Sequence, residues 1–358
     1  MDYNILWFII IGFLLTGYAI LDGFDLGVGA LHLMTKNDHD RRIMLNSIGP
    51  VWDGNEVWLV TAGGALFAAF PHVYATAFSG FYLPFMLLLF ALIFRAVSIE
   101  FRSKEDLKSW RSFWDWAFSV GSIVAALLFG VAIGNVIMGF EIGSDKEYQG
   151  SFLDLITPYT LLTGLFNLAM FTMHGGIYLL LKTENPLREK IRKWVKKAYV
   201  VFVTLYAVTT AVTIYLRPTM LANFSFGTIQ SEGPQHPLIT THQLTISVIA
   251  WIIVLLNVLA ILNIPRTLAK DRPLHTFASS ALMMVAIILF FALGLFPNMM
   301  ISTLDPAFNL DIYNASSSNY TLKTMFTLTC IGLPFVLGYT ALIYWTYRGV
   351  TKLGEDSY

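Results

Sequence analysis

The sequence predicts an all-α integral membrane protein with nine transmembrane helices, and three observations carry that prediction. The first is composition. Of 358 residues, 56% are hydrophobic and 13% charged, about half the usual charged share of a soluble domain, and the mean hydropathy is +0.63. The second is the recurrence of apolar stretches near the ~20 residues that cross a hydrocarbon core. They run at roughly 4–33, 54–70, 76–95, 115–140, 158–181, 198–216, 243–264, 277–296 and 324–347. The third is the placement of basic residues. With the N-terminus outside, all 23 Lys and Arg except Lys146, Arg217 and Lys323 fall in inner loops or at inner span ends. That is the positive-inside pattern, and it puts the C-terminus in the cytoplasm. One missed helix would scramble the alternation.

The first span is long enough to project from the membrane. Its opening, MDYNILWFIIIGFLLTGYAILDGF, has no basic n-region and no small-residue cleavage site, so it reads as a retained span rather than a signal peptide. Asp22 and Asp25 lie three apart and share a helical face. Counted at 1.5 Å per residue, they lie past the midplane toward the cytoplasm. Gly23 and Gly27 form the small-xxx-small spacing of closely packed membrane helices.

The second span, 54–70, opens on Trp52, Asp53 and Glu56 and then reads VWLVTAGGALFAAF without a charge. A carboxylate beside lipid is costly unless paired, neutralised or wetted. The plainest reading of Asp53 is an N-cap after Gly49-Pro50. The third span, 76–95, closes on Arg95, with Glu100 five residues on. The fourth, 115–140, opens on Asp115 in SFWDWAF and carries Gly130, Gly134 and Asn135. The two glycines mark a packing face, and Asn135, a polar group at depth, needs a partner.

The fifth span, 158–181, holds His174, the one histidine of seven that lies deep in a span. Met170 and Met173 lie nearby, but methionine is common core filler and no second histidine stands at i, i+4. A buried core histidine is the plainer reading. Spans 198–216, 243–264, 277–296 and 324–347 follow. The longest connections are about 25 residues, so 1–358 is read as a single polytopic membrane domain. Cys330 stands alone, which excludes an internal disulfide, a cysteine-rich metal site and cysteine-ligated iron–sulfur clusters. A net charge of zero offers no basic face to nucleic acid. The sequons at Asn314 and Asn319 fall in an outer loop and are weak signals.

Asp25, Asp53, Glu56, Arg95, Glu100 and Asp115 all sit at or near the inner ends of the first four spans, where a random scatter would have used both faces. The pattern reads as a hydrated funnel from the cytoplasm in which carboxyls exchange protons, with Arg95 opposing protonation wherever it pairs. Three alternatives stay open: an ordinary ring of interfacial charges, a secondary transporter, and a structural partner whose charges fix assembly.

Several of these segments carry a resemblance. TGYAILDGFDLGVG, RRIMLNSIGPVWDGNEVWLVTAGGALFAAFP, FSGFYLP, FRSK, WDW and GVAIGN are similar to subunit II of the cytochrome bd-type quinol oxidases. The match is dense over about residues 12–140 and looser beyond. It implies nine spans arranged as two four-helix bundles plus one peripheral helix, in a bacterial or archaeal cytoplasmic membrane. It implies a heterodimer with a subunit I that holds the b-type and d-type haems, so this chain binds no metal and is not catalytic alone. The complex it implies oxidises a membrane quinol and reduces O2 to water with cytoplasmic protons. Proton entry in the family is attributed to acids that match Asp25 and Asp53. Glu56, Arg95 and Glu100 match positions near that path, although glutamine stands at the place of Glu56 in some relatives and aspartate at that of Glu100. Asp22, Trp52 and Asp115 are supporting candidates. The resemblance leaves open a structural quinone in this subunit and a small accessory subunit, and it points to no quinone-binding residue.

Overall fold

In the computed structural model the protein is described over residues 1–226 and 237–354, and over 237–242 for the backbone alone. Helix α1 (Tyr3–His32) begins where the Asp2 carboxylate accepts from the backbone N–H groups of Asn4 (3.0 Å) and Ile5 (3.3 Å), satisfying donors that the first turn leaves orphaned. Seven more helices are long and apolar enough to cross a membrane: α5 (Tyr82–Phe101, extended by a 3-10 turn to Lys104), α6 (Lys108–Met138), α7 (Pro158–Lys182), α8 (Leu187–Leu216), α9 (Pro237–Ala269), α10 (Pro273–Leu295) and α11 (Asn319–Thr346). Three shorter helices complete the set: α2 (Asp38–Ile48), α3 (Trp52–Ala69) and α4 (Pro71–Gly80). The 18 residues of α3 rise about 27 Å, just under the thickness of a hydrocarbon core.

Several boundaries differ from the sequence expectation: α6, α9 and α11 start five to seven residues early, and three further differences are larger or bear on the site. The expected third span, 76–95, is two helices. Pro71, preset for a first helical position, starts α4, and α5 begins only at Tyr82. The expected sixth span, 198–216, starts eleven residues earlier, at Leu187. The basic stretch is amphipathic: Leu187, Ile191, Val195 and Phe202 are buried along one stripe while the lysines face out. Asp53 is not an N-cap either. Val51 holds that position without a side-chain bond, and Asp53 lies in the first turn, where a carboxylate still complements the helix dipole. Helix α2, capped by Asn37, is too short and polar for a hydropathy reading to register.

Packing groups α1 with α3 and α6, and α6 with α5. A second group joins α7 to α8 and α10, and α10 to α9; between the groups α6 and α1 both pack on α7, and α1 also touches α10. Helix α11 packs on α1 and α3, and most of its other side chains are exposed. The α1–α7 contact is close because glycines face it. A Cβ on Gly27 would stand 1.9 Å from the Phe171 carbonyl oxygen, and one on Gly175 would stand 2.5 Å from backbone atoms of Gly27 and Val28. Gly130 and Gly134 serve α6 in the same way, against Thr163 and its neighbours on α7. Asn135 donates to the carbonyl oxygens of Leu155 and Val131, both at 2.9 Å. Because backbone cannot yield as a side chain can, Gly27→Val is expected to cost at least the ~1–3 kcal/mol of core overpacking. The thermal midpoint of the purified protein measures it. Gly12→Ala, whose Cβ enters open space, should leave that midpoint unchanged.

At the end of the molecule that holds the start of α1, the segments after α6 and α10 form a cap. Strand β1 (Asn298–Met300) pairs antiparallel with β2 (Leu310–Asp311), and Phe140 bridges to Ser302. Lys146 donates to the Asn314 carbonyl oxygen at 2.9 Å. The Asn314 side chain is committed to its own turn, donating to the Asn309 carbonyl oxygen (2.8 Å) and accepting from the Asp311 N–H (3.0 Å). Of the expected outer loop 217–242, a 3-10 helix spans Pro218–Phe224; residues 227–236, His236 among them, lie outside the described residues.

Candidate functional site

The opposite end carries two ionic networks, and helix periodicity explains the first. Asp22 and Asp25 lie on the buried face of α1. Asn55 and Glu56 lie in the second turn of α3, and Arg95 lies on the inward face of α5. Arg95 Nη2 donates to Asp22 Oδ1 at 2.8 Å and stands 3.8 Å from Asp25 Oδ2, while Nη1 donates to Glu56 Oε1. Arg95, Asp22 and Asp25 are fully buried, whereas the Glu56 side chain keeps 24% of its surface exposed. Asn55 Nδ2 donates to Asp25 Oδ2 (2.8 Å) and to the Leu21 carbonyl oxygen (3.3 Å), and the Tyr344 hydroxyl donates to Asn55 Oδ1 (2.7 Å). Three carboxyl groups thus face one guanidinium, which cannot balance all of them if all are ionised. Uncompensated charge in a low-dielectric interior costs several kcal/mol per ion, so the arrangement depends heavily on the shared guanidinium.

The second network centres on Asp115. Its carboxylate accepts from His32 Nε2 (2.5 Å), Arg41 Nη1 (2.7 Å) and Arg102 Nε (2.6 Å). Arg102 also donates to Asp38 at 2.7 Å. In the same first turn of α2, Asp40 accepts from Thr35 (3.2 Å) and from Lys190 (2.9 Å). These bonds tie the end of α1, α2, the end of α5, the start of α6 and the start of α8 into one cross-braced end.

The structure therefore brings together Asp22, Asp25, Glu56 and Arg95, and sets Asp115 in a separate buried hub. Asp53 stands on the exposed side of α3, three residues from Glu56. Glu100, half-buried in the last turn of α5, lies outside both networks, and Trp52 packs its ring against the main core cluster. Asn55, Tyr344, His32, Arg41 and Arg102 were not singled out from the sequence as site residues. A neutral amide beside Glu56 in an apolar span was a readable signal for Asn55. Nothing in the sequence joins Tyr344 to a residue 289 positions away.

His174 is no free ligand. Its Nε2 lies 3.1 Å from the Ile20 carbonyl oxygen, an acceptor, so that nitrogen donates. Its Nδ1 lies 2.7 Å from the Ser280 hydroxyl. Both ring nitrogens are engaged, and Phe277 stacks on the ring. Among the described residues no group of three or more His, Cys, Asp or Glu could hold a metal ion.

Comparison with known proteins bears on this geometry. Residues 3–347 match the family model described as cytochrome bd terminal oxidase subunit II. The chain is 37% identical over 98% of its length to the cytochrome bd-I ubiquinol oxidase subunit 2 of Escherichia coli strain K12, covering 97% of that protein. It is 34% identical over 96% of its length to the cytochrome bd ubiquinol oxidase subunit 2 of Bacillus subtilis strain 168, covering 95% of that protein. Among solved structures, a chain of the bd oxidase from Geobacillus thermodenitrificans superposes with a TM-score of 0.75 at 15% identity, with 97% of this chain and 99% of that one covered.

Proposed function

This chain belongs to the cytochrome bd terminal oxidase subunit II family, and on that premise we propose that it conducts protons from the cytoplasm through Asp53, Glu56 and Asp25 toward the oxygen-reducing site of its partner. It is the second subunit of a quinol oxidase, an oxidoreductase complex, and a multi-pass protein of the cytoplasmic membrane. Membership implies a subunit I, and in this reading subunit I holds the b-type and d-type haems while this chain scaffolds it.

The observation that carries the proposal is the graded burial of acids from α3 to the neighbouring α1. Asp53 is exposed, Glu56 is partly exposed and Asp25 is fully buried. In this reading Asp53 collects the proton at the water-facing end. Glu56 takes it inward, and Arg95 holds the charge of the cluster near balance while Asp25 passes the proton on. Glu100 and Asp115 flank the entrance; Asp115 and its basic partners fix the ends of α1, α5 and α6 around it.

The topology that serves this role has nine crossings with the N-terminus outside. The eight long apolar helices and α3 alternate in direction, α4 lies at the capped end, and α11 is the peripheral helix beside two groups of four. The end that carries the acids also holds most of the Lys and Arg, which supports a cytoplasmic position for it. The quinol, a lipid or quinone held by this chain, and a small accessory subunit belong to the same reading without assigned residues.

Asp53→Asn in the intact complex tests the path. Oxygen consumption is expected to fall about a hundredfold, the lower end of the range for a lost proton-transfer group, with haem absorbance unchanged. Wild-type turnover would remove Asp53 from the path, and loss of haem together with activity would make its role structural.

A further inference from the structure

We propose that Asn55 and Tyr344 are positioning residues that commit Asp25 Oδ2 to accepting hydrogen bonds, so that Oδ1 is the one oxygen of Asp25 that takes up and releases the transferred proton. The inference rests on the proton-conducting role of Asp25 and names the atom through which that role is exercised.

Asn55 has one acceptor oxygen and one NH2 group. Its NH2 faces two oxygens, Asp25 Oδ2 at 2.8 Å and the Leu21 carbonyl at 3.3 Å. The carbonyl of Leu21 can only accept, so this nitrogen assignment is fixed by chemistry rather than by choice of rotamer. The Asn55 oxygen then faces Tyr344, whose hydroxyl must donate to it at 2.7 Å. The direction of the whole chain is set: Tyr344 donates to Asn55, and Asn55 donates to Asp25. In a protonated carboxyl the carbonyl oxygen is a much better acceptor than the hydroxyl oxygen, so with Oδ2 held by the amide hydrogens a proton on Asp25 resides on Oδ1. That oxygen is buried and has no hydrogen-bond partner among the described residues of this chain.

The two aspartates are thereby told apart. Asp22 binds Arg95 directly at 2.8 Å, whereas Asp25 stands 3.8 Å from the same nitrogen and is held by a neutral amide. Asp22 is the counter-ion, and Asp25 is left free to change charge. Tyr344 is itself held. Its ring meets Phe24 edge-on with centroids 6.4 Å apart, and Phe24 stacks on Tyr178 at 3.9 Å. The step is a plain proton transfer: a proton binds Oδ1 to give the neutral acid, then leaves the same oxygen and restores the carboxylate. No atom is oxidised or reduced.

Tyr344→Phe, Asn55→Leu and Asp25→Asn, each in the intact complex assayed with a short-chain quinol, test the inference. Tyr344→Phe is expected to lower maximal turnover about two- to tenfold, the worth of one ordinary hydrogen bond. Asn55→Leu should lower it further. In both variants the KM for quinol and the haem absorbance stay at wild-type values and the solvent deuterium isotope effect on turnover rises, because proton delivery has become the slow step. If Asp25→Asn abolishes turnover while Tyr344→Phe and Asn55→Leu match wild type in turnover and isotope effect, the positioning inference fails and the proton path stands. If Asp25→Asn itself keeps wild-type turnover, the path fails. Loss of haem in both Tyr344→Phe and Asn55→Leu overturns the inference in favour of a structural role.

Discussion

Replacing Arg95 with Met is expected to abolish recovery of an intact complex. The guanidinium is fully buried and touches three carboxyl groups contributed by α1 and α3. Methionine fills much of the same volume but removes the one positive charge at the centre. Removing one partner of a buried pair typically costs ~3–5 kcal/mol, because the other charge stays buried and uncompensated. Here one cation serves three acids, so the cost lies at the top of that range. Haem absorbance recovered per unit of membrane protein, after purification through a tag on this chain, measures the effect. Arg95→Lys separates charge from geometry. A lysine ammonium keeps the charge but lacks the planar fork that reaches Asp22 and Glu56 at once. That variant should assemble and turn over slowly. Wild-type recovery of Arg95→Met would show that these acids sit neutral without the guanidinium.

The second large effect is expected at Asp115. Asp115→Ala withdraws the acceptor from His32, Arg41 and Arg102 together. Arg102 keeps Asp38, and Arg41 is partly exposed and can find water. His32 is fully buried and has no other hydrogen-bond partner among the described residues, so the loss concentrates there and on Arg102 Nε. About 3 kcal/mol is the expected magnitude for an opened buried network. It would be read as a drop in the thermal midpoint of the complex, with Asp115→Asn losing less because one oxygen still accepts. Residual enzyme should turn over normally, since Asp115 lies outside the Asp22–Arg95 cluster. A large turnover defect at normal stability would place Asp115 in the proton path instead.

Much of this architecture was legible in the sequence because hydropathy and the fate of basic residues are both local. The helices over 3–32, 158–182 and 273–295 lie close to their expected limits. Where the reading fell short, polarity misled it. Helix α2 and the first three turns of α8 are charged, and an apolar window cannot register them, although Asn37 at one start and the Leu187, Ile191, Val195 stripe at the other were available signals. Pro71 likewise marked the break between α4 and α5.

The site was legible to the extent that charge in lipid is conspicuous. Asp22, Asp25, Glu56 and Arg95 stand out by depth alone, and they converge. What could not be read was pairing. Nothing in sequence spacing distinguishes Asp115, bonded to His32 across 83 positions, from Glu100, which lies outside both networks. Neutral donors such as Asn55 and Tyr344 draw no attention until an acceptor is placed against them.

The 289 positions between Asn55 and Tyr344 also set an order of events during synthesis. The ribosome delivers α1, α3 and α5 early, so Arg95 can close on Asp22 and Glu56 while most of the chain is still untranslated. The amide of Asn55 waits through six further helices for its hydroxyl partner. A nascent chain halted before α11 would carry the charged cluster already neutralised but Asp25 still unaligned. Charge pairing thus comes first, and the alignment of Asp25 proposed above comes only with completion.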